Sequence, residues 1–593
     1  MSRAAKSSQQ PPIVSRLRLL VLPGILDVVL FVAIFAMTIP IVSSAGSRRG
    51  VELMPWPDGL EYAAAAVNLE SGRGPVLHFG GYTYPSRYSA GYPLILDNLY
   101  RSKVRYVWAL YIASLFIGAL SVTAIFSLAN LAFGRAAAIL GALLLALSPV
   151  FITYSSLVMS DVPTLLVTIT AVFTMVPAAS DDAHPSQIWL QMLMWSLFGL
   201  LAGFSTIIRP TNATIFAGLV LCVVMVPLKH RDRSSLLKAA TAIAIGFAIP
   251  VAWQMHQNAI HLGSAFASGY AWWVPEVYGA GGKTFSAAYL FGSTMPRNPH
   301  GNVPVYALTL AGLDGMLGAH VGARYFLYPF AAAAFAVIGF LTILRTPERP
   351  AARRLMWFGL GYLGALTGLY CFYLFTDPVF ILPAAFVLFI AAGAGAATVN
   401  QWMRDVFRNR NRSAGEIMAA AGVVLLDVLL IISLGSEVAI RVSARPAESM
   451  MVPTLQSADS TLPPNAIVVS NISLQFLELY LPAENRRFIG LNSLDPGETF
   501  TDYHLHRLYE KRAAGWNGPV PPVVFDGPAM SAEADSLASA IGAKTPVFLL
   551  IAAPESQQYA DVLKGELDNL QRKFGVEPVA QNRVAALYRL TIK

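Results

Sequence analysis

Residues Tyr106–Ala132 read YVWALYIASLFIGALSVTAIFSLANLA and contain no charged side chain. A helix of about 20 apolar residues is long enough to cross the hydrocarbon core of a bilayer, so this run is predicted to span a membrane. Ten further apolar blocks predict a polytopic α-helical membrane protein with about eleven transmembrane helices. These blocks are Leu20–Ser43, Ala136–Ser148, Val162–Val176, Ile188–Ile207, Thr211–Leu228, Leu236–His256, Arg324–Leu344, Leu355–Phe375, Val379–Val399 and Glu416–Ser436.

The composition agrees with a membrane protein. The chain has 593 residues, of which 55% are hydrophobic and only 13% are charged. Soluble domains carry roughly 25% charged residues, so a water-soluble globular protein is excluded. The net charge is +8, but Lys and Arg stand in short clusters between apolar blocks, which indicates membrane topology and no nucleic-acid partner. Cys222 and Cys371 both lie inside apolar blocks and predict no disulfide framework.

Four basic clusters predict which side of the membrane each loop occupies. Even numbers of predicted spans separate the clusters, so all four lie on one side, and the positive-inside rule makes that side the cytoplasm. The loop from Ala45 to Arg105 and everything after Ser436 are then extracytoplasmic. The clusters are Arg3/Lys6/Arg16/Arg18, Lys229/Arg231/Arg233/Lys238, Arg345/Arg349/Arg353/Arg354 and Arg404/Arg408/Arg410/Arg412.

The last part of the chain differs in composition from the rest. From Glu437 onward Pro and charged residues become frequent, and short β-rich runs alternate with helical patterns. This alternation predicts a small α/β domain, which must lie outside the bilayer because its backbone needs a sheet ladder or water for its hydrogen bonds. The predicted domains are a cytoplasmic N-terminal segment, residues 1–19, a transmembrane domain, residues 20–436, and a C-terminal periplasmic domain, residues 437–593.

The first outer loop, residues 45–105, holds the first candidate site. Asp58, Glu61 and Tyr62 have helical spacing, which Ala65 continues, and this predicts a short helix with two carboxylates at its start. Asp58 would then lie just above the bilayer, within reach of a reacting group. An Asp at the start of a helix often simply caps it, and this alternative stays open.

A second carboxylate, that of Asp161, stands where the fourth predicted span begins, in Met159-Ser-Asp-Val-Pro163. The predicted topology puts it on the same outer side as Asp58. Two carboxylates at the mouth of one bundle can orient a nucleophile, or they can bind a divalent cation such as Mg²⁺ or Mn²⁺, because each supplies hard oxygen ligands. A metal site is therefore left open, and helix capping by Asp161 is the alternative.

Basic side chains on the outer side are candidate binding groups. Arg87 and Arg209 can neutralise a phosphate, since Arg offers a bidentate fork. Arg209 stands between two apolar blocks with almost no loop. For Lys283 and Arg297 interfacial snorkelling is the favoured interpretation.

Aromatic side chains near the predicted span ends have two interpretations. They fit an interfacial belt, which is favoured, or a surface on which a sugar stacks. These residues are Trp56, Tyr270, Trp272 and Trp273.

Taken in order, four motifs resemble those of the type C membrane glycosyltransferases. The similar branch is glycosyltransferase family 39, around the protein O-mannosyltransferases and the aminoarabinose or galacturonic acid transferases of lipid A. The resemblance covers roughly the first 230 residues with recognisable motifs, and beyond them it rests on the layout of the chain. The motifs are Asp58 with Glu61-Tyr62 and Ala65, Gly72/Gly74 with Gly91-Tyr92-Pro-Leu-Ile-Leu96, Met159-Ser-Asp161-Val-Pro163, and Arg209-Pro-Thr-Asn212.

The resemblance implies an enzyme that moves a sugar from a polyprenyl-phosphate-linked donor to a lipid, glycan or protein acceptor in the periplasm. In that family the first-loop Asp is the catalytic carboxylate, which corresponds to Asp58, and the acidic residue before the fourth span corresponds to Asp161. As a general base Asp58 would activate the acceptor hydroxyl, and direct displacement would invert the anomeric centre. The predicted substrate-binding residues are Glu61, Tyr62, Arg87, Tyr92, Arg209 and Tyr270.

One position departs from the family pattern. Similar enzymes often carry an Arg beside the aromatic residue in the stretch that matches Thr376-Asp-Pro-Val-Phe-Ile-Leu-Pro383, and here that position is Val379. The departure favours Arg209 or Arg87 as the phosphate-binding residue.

Two other functions stay open. A transporter or lipid flippase would use the acidic residues inside predicted spans, Asp27 and Asp427, as part of a permeation path. A catalytically inert relative would bind the lipid-linked sugar without turnover. The expected location is the bacterial inner membrane, with membrane lipids around the spans and the N-terminus in the cytoplasm.

Overall fold

The computed structural model divides the chain into two compact units. The helical unit consists of the described parts of Met1–Ser47, Ile112–His256 and Gly282–Arg445. The mixed unit consists of the described parts of Arg48–Tyr111, Gln257–Gly281 and Pro446–Lys593. The structure describes residues 58–101, 107–155, 157–179, 188–226, 233–294, 299–313, 327–346, 349–409, 412–425, 451–481, 485–491, 503–524, 532–552, 557–581 and 585–593, with Ala33, Ala36 and Val428.

Apolar helices dominate the helical unit. Among the described residues, five helices are long and apolar enough to cross a membrane, and a bent pair raises the number to six. The protein is therefore a multi-pass membrane protein. The α-helices are Val107–Phe133, Arg135–Ala146, Pro149–Ser155, Asp161–Ala178, Ile188–Ile208, Ile215–Met225, Arg233–Leu262, Asn302–Ala311, Phe330–Leu344, Pro350–Cys371 and Leu382–Arg408, with a shorter apolar helix, Ala414–Leu425.

Prolines change the form of three predicted spans. The block Ala136–Ser148 ends before Pro149, where the chain bends by 65° into a second short helix. Two further spans begin with the 3₁₀ turns Pro210–Thr214 and Pro378–Ile381. Proline lacks the N–H that would continue a preceding helix but fits the first position of a new one, so each element starts there.

Part of the predicted topology lies outside the described residues. This holds for nearly all of the first predicted span, Leu20–Ser43, for Asp27 within it, and for Asp427 in the last span. The predicted number of spans, the domain boundaries and the orientation of the termini therefore stay predictions.

Glycines let the Leu382–Arg408 helix pack with its backbone against two neighbouring helices. A Cβ atom at Gly395 would collide with the carbonyl oxygen of Phe335, and one at Gly393 would collide with that of Ala137. Small residues permit such close approach between helices in membranes. This helix is accordingly the buried centre of its unit, since 94% of the residues in its most apolar stretch are buried.

The mixed unit begins with a helix and a hairpin from the first predicted outer loop. Strands β1 (Val76–Phe79) and β2 (Tyr82–Pro85) pair antiparallel around a two-residue turn. Gly80 and Gly81 form that turn with φ values of 59° and 83°, which only Gly adopts readily. The helices of the unit are Asp58–Glu70, Gly91–Arg101, Gly269–Trp273, Pro275–Tyr278, Met451–Thr461, Leu474–Tyr480, Tyr503–Ala513, Ala532–Gly542 and Gln557–Lys573.

A six-stranded sheet organises the C-terminal part of the mixed unit. Its strands are β3 (Ile467–Ser470), β4 (Arg487–Leu491), β5 (Val523–Val524), β6 (Val547–Ala552), β7 (Phe574–Gln581) and β8 (Ala585–Ile592). Their order in the sheet is β5-β4-β3-β6-β8-β7. The first four strands run parallel, and β8 is antiparallel to both β6 and β7. Apolar side chains such as Val469, Ile489 and Leu549 form the core against the last two helices.

All four β-rich runs predicted from the sequence overlap a strand of this sheet, namely β3, β5, β6 and β8. The predicted runs are Ala466–Ser470, Val523–Asp526, Val547–Ala552 and Ala585–Leu590. The alternation did not indicate β4, which begins with the charged Arg487, or β7, which contains Pro578 and whose side chains are largely exposed. Strand β7 has few buried apolar residues and therefore carries little periodic signal. Strand β4 is buried from Phe488 to Leu491 and shows no alternation of buried and exposed residues.

Candidate active site

The first-loop helix, Asp58–Glu70, begins with both predicted carboxylates. Asp58 and Glu61 are three residues apart and share one face. Their exposures differ, because 30% of the Asp58 side chain is exposed whereas that of Glu61 is fully buried. Of these two carboxylates, only that of Asp58 is in contact with solvent.

Arg87, which follows strand β2, joins the two carboxylates. Its Nε atom donates to Oε1 of Glu61, and its backbone N–H donates to Oε2 at 3.2 Å. Its Nη2 atom lies 3.6 Å from Oδ1 of Asp58. Glu61 therefore holds both the main chain and the side chain of Arg87, while Asp58 contacts only the outer edge of the guanidinium.

Electrostatics keep this cluster charged although it is buried. Burial by itself raises the pKa of Glu61, but the charges and hydrogen bonds of Arg87 and His504 hold that pKa below its usual value. Burial likewise lowers the pKa of Arg87, but the Glu61 carboxylate keeps that pKa well above its usual value. Glu61 is thus a carboxylate and Arg87 a cation near neutral pH.

His504 is a member of the site that sequence reasoning missed. Its Nε2 atom lies 2.8 Å from Oε1 of Glu61, and its side chain is 2% exposed. Its Nδ1 atom lies 2.9 Å from Nε2 of Gln475. His504 and Glu61 are 443 positions apart in the chain, so no local spacing signal connects them.

Aromatic rings surround the cluster. The ring centroid of Tyr62 lies 4.5 Å from that of Tyr88 and 5.0 Å from that of Tyr92. Tyr270 lies 5.4 Å from Tyr88, edge to face. Burial raises the pKa of Tyr88 and of Tyr270 well above the usual value, so both hydroxyls stay protonated. The structure therefore gathers all six residues predicted in the first outer loop and at position 270.

The belt interpretation is wrong for Trp273. Its side chain is completely buried in the mixed unit, where Nε1 donates to the carbonyl oxygen of Pro85 at 2.7 Å. The ring also packs edge to face on His504 with 4.7 Å between centroids. A buried, hydrogen-bonded indole stabilises the fold and does not lie at a membrane surface.

Lys283 is exposed, and Trp56 and Arg297 lie outside the described residues.

The helical unit contains the other predicted pair, Asp161 and Arg209. Asp161 is the first residue of its helix, and the N-cap position belongs to Ser160, which makes no side-chain capping bond. Asp161 is thus not the capping residue. Its side chain is 1% exposed and forms an ion pair with Arg209.

Arg209 lies close to the segment around Val379, the position at which similar enzymes often carry an Arg. The Arg209 guanidinium lies 5.2 Å from the ring centroid of Phe380, the residue next to Val379. Its Nη2 atom lies 3.4 Å from the hydroxyl oxygen of Tyr370. The structure therefore supplies a guanidinium beside this aromatic ring from another part of the chain. Val379 itself is buried.

Asp377 is a second residue that the sequence reasoning did not single out, although it lies in the quoted stretch. It caps the Pro378–Ile381 turn, since Oδ1 accepts from the backbone N–H of Val379 at 2.9 Å. Its Oδ2 accepts from the hydroxyl of Tyr154 at 2.9 Å. Burial raises the pKa of Asp377 to about 6. Asp377 is thus a capping residue of the helical unit.

Solved structures share this architecture. The chain matches the crystal structure of ArnT from Cupriavidus metallidurans bound to undecaprenyl phosphate with a TM-score of 0.58 and 14% identity, covering 95% of this chain and 97% of that one. It also matches the oligosaccharyltransferase AglB from Archaeoglobus fulgidus, in complex with an inhibitory peptide and a dolichol-phosphate, with a TM-score of 0.50 and 12% identity, covering 94% and 73% of the two chains. The chain has the fold of the type C membrane glycosyltransferases.

The family model matches a smaller part of the chain than the solved structures do. The family model described as dolichyl-phosphate-mannose-protein mannosyltransferase matches residues 104–253. No curated protein matches the chain. The resemblance to the type C fold stated from the motifs is thereby confirmed, whereas the roles assigned to single residues stay predictions.

Among the described residues, the arrangement of His, Cys, Asp and Glu side chains does not support a metal site. Within the described ranges of this type C chain, no group of three or more His, Cys, Asp or Glu side chains is arranged to hold a metal ion. A Mg²⁺ or Mn²⁺ ion held by Asp58 and Asp161 stays a prediction.

Proposed function

We propose that this protein is an inner-membrane glycosyltransferase that moves one sugar from a polyprenyl-phosphate carrier to an acceptor on the periplasmic side. The acceptor class is a lipid, a glycan or a protein. The type C fold supports this proposal, as do the lipid phosphates bound by two matched structures, undecaprenyl phosphate and dolichol-phosphate. In the proposed topology the N-terminus is cytoplasmic and residues 437–593 are periplasmic.

The exposure of Asp58 is the observation that carries the proposal. A general base must touch the proton that it removes, so its carboxylate must be reachable by the acceptor. The side chain of Asp58 is 30% exposed, whereas those of Glu61 and Asp161 are 0% and 1% exposed. We therefore assign Asp58 as the base, and Glu61 and Asp161 to holding Arg87 and Arg209.

The proposed reaction is a single displacement at the anomeric carbon. Asp58 takes the proton of the acceptor hydroxyl while the acceptor oxygen bonds to C1 of the sugar. The bond between C1 and the phosphate oxygen breaks, and its electron pair leaves with the polyprenyl phosphate. Attack from the face opposite the leaving group inverts C1.

Cationic groups stabilise the negative charge that grows on the departing phosphate. Arg87 and Arg209 are the two candidates, because each is a guanidinium already held by a carboxylate. Preorganised donors of this kind lower the barrier without moving during the reaction. In this proposal Tyr270 lines the sugar-binding surface near Asp58, and the buried Tyr62 and Tyr92 support it from the interior.

Mass spectrometry of the cell envelope tests the function. A strain lacking the gene is complemented with the wild-type protein, with Asp58→Asn or with Glu70→Gln, which removes a carboxylate from the other end of the same helix. We expect one envelope component to gain the mass of one sugar with the wild type and with Glu70→Gln. Asp58→Asn should restore no such mass although it inserts normally.

Two results would overturn the proposal. One is full restoration by Asp58→Asn at wild-type protein levels. The other is labelled sugar that enters vesicles without a new glycosidic bond, which would indicate a transporter or flippase.

A further inference from the structure

One face of a C-terminal helix fastens two distant segments of the mixed unit. The helix Tyr503–Ala513, called the clamp helix below, carries His504, Arg507 and Lys511 at intervals of three and four residues, so these side chains lie on one face. His504 contacts the first-loop helix through Glu61.

The other two cations hold the segment that contains Tyr270. Arg507 donates from Nη2 to the carbonyl oxygen of Trp273 at 3.2 Å and pairs with Glu276. Lys511 donates to the carbonyl oxygen of Trp272 and stands 4.4 Å from the centroid of its ring. The clamp helix thus contacts the first outer loop and the segment of Tyr270, which together supply the predicted substrate-binding residues of this unit.

The bond between His504 and Glu61 has only one direction. His504 Nε2 faces a carboxylate oxygen, which only accepts, so Nε2 carries a hydrogen and donates. The other ring nitrogen, Nδ1, lies 2.9 Å from Nε2 of Gln475. The neutral ring with its hydrogen on Nε2 and the imidazolium both donate to Glu61 through Nε2.

Glu61 is the point where this chain of hydrogen bonds meets the proposed base. Its Oε1 accepts from both His504 and the Arg87 side chain, and its Oε2 accepts from the Arg87 backbone. Arg87 in turn lies 3.6 Å from Asp58. The hydrogen bond from His504 therefore fixes the position of the Glu61 carboxylate, which holds Arg87 away from Asp58.

We propose that His504 is a positioning residue, through which the C-terminal part of the chain orders the Glu61–Arg87 pair beside Asp58. This inference rests on the proposed function. Without the donor at His504, Arg87 moves toward Asp58, and a carboxylate in a tighter ion pair is a weaker base. The loss should therefore appear in the rate of transfer and not in the binding of the lipid donor, whose phosphate this inference assigns to Arg209.

Three variants of the full-length protein separate this role from a merely structural one. His504→Asn removes the donor at the Nε2 position, whereas His504→Gln keeps an amide N–H close to it. His506→Asn is the matched control, because His506 lies on the same helix with its side chain 39% exposed. The deletion strain is complemented with each variant. Each variant is also purified in detergent to measure its binding of undecaprenyl phosphate.

We expect His504→Asn to lower the rate of envelope modification about 10- to 100-fold, the usual contribution of a hydrogen bond to a charged group. Its affinity for undecaprenyl phosphate should be unchanged. His504→Gln should stay within about threefold of the wild type, since most of that bond is kept, as should the His506→Asn control. In a Glu61→Gln background, His504→Asn should have no further effect on transfer, because its partner is already gone.

Several outcomes would overturn the proposal. They are wild-type transfer by His504→Asn, equal loss in His504→Gln and His504→Asn, or additive losses with Glu61→Gln. If His504→Asn does not fold, His504→Gln carries the test, and loss of transfer by folded His504→Gln overturns the inference. Failure of the proposed function is a different result, because then neither the wild type nor any variant modifies the envelope.

Discussion

The two units each contain a carboxylate paired with an arginine, and the two pairs are built differently. In the helical unit Asp161 is 1% exposed and forms a direct ion pair with Arg209. In the mixed unit Arg87 is already held by buried Glu61, and exposed Asp58 stands 3.6 Å away from it. Glu61 makes the difference, because it pairs with Arg87 and leaves Asp58 accessible.

Burial therefore separates side chains that have the same chemistry. A buried carboxylate in an ion pair is costly to break, because its partner is left as an uncompensated charge. A partly exposed carboxylate contributes little to stability but can meet a substrate. Removing Asp58 should thus affect activity alone, while removing Asp161 should affect folding.

The largest effect is expected for catalysis by the purified protein. Asp58→Asn should lower the rate of sugar transfer by about 10² to 10⁴, the usual contribution of a general base. Its unfolding free energy should stay within about 0.5 kcal/mol of the wild type, as for most surface substitutions. Transfer assays and thermal unfolding in detergent measure the two quantities. A large loss of stability would mean that the two pairs do not differ as described.

A large loss of stability is expected for Asp161→Ala. It leaves Arg209 largely buried without its counter-charge, so the unfolding free energy should fall by about 3–5 kcal/mol. The double variant Asp161→Ala/Arg209→Met should recover much of this loss, because the unpaired charge is gone. Equilibrium unfolding in detergent measures both variants. Additive losses in the double variant would contradict the pairing.

Acid should weaken the mixed unit through Glu61. In the folded protein the pKa of Glu61 lies below the ordinary 4.5, so the ionised carboxylate is more stable in the folded state than in the unfolded chain. This stabilisation is present above about pH 4.5 and is lost as the pH falls through the folded pKa. Glu61→Gln should make the unfolding free energy less dependent on pH in that range. It should also lower the unfolding free energy by about 1–3 kcal/mol at pH 7. Unfolding measured between pH 3 and 7 gives both values, and an unchanged acid limb in Glu61→Gln would exclude this origin.

The smallest effect concerns the ring that Arg209 faces. A guanidinium 5.2 Å from the Phe380 centroid should give a coupling energy of about 0.5–1 kcal/mol at such a partly exposed site. A double-mutant cycle with Arg209→Met and Phe380→Leu, followed by unfolding in detergent, measures it. The cycle of Arg209→Met with Phe375→Leu serves as the control. Equal coupling in both cycles would show that Phe380 has no special contact with Arg209.

Local spacing was sufficient to predict part of the candidate site. Asp58 and Glu61 could be placed on one helical face because three residues make nearly one turn. The apolar blocks and the resemblance to the type C fold were likewise readable from runs and motifs. The place of Arg209 beside Phe380 was only partly anticipated, since the absent arginine at position 379 pointed to Arg209 or Arg87 and did not decide between them.

Long-range partners could not be predicted in this way. No pattern joins His504 to Glu61, because 443 residues separate them and each side chain is ordinary in its own helix. Trp273 resembles a belt residue by type, yet a carbonyl group and a histidine ring bury it.

Hydropathy and helical periodicity are properties of neighbouring residues, so the linear chain suffices to establish a polytopic helical protein and to nominate its acidic and basic residues. Exposure depends on which segments fold over a side chain, and those segments come from distant positions. Only the folded arrangement therefore decides that Asp58 stays accessible, that Glu61 and Asp161 are buried against arginines, and that the C-terminal part of the chain supplies His504.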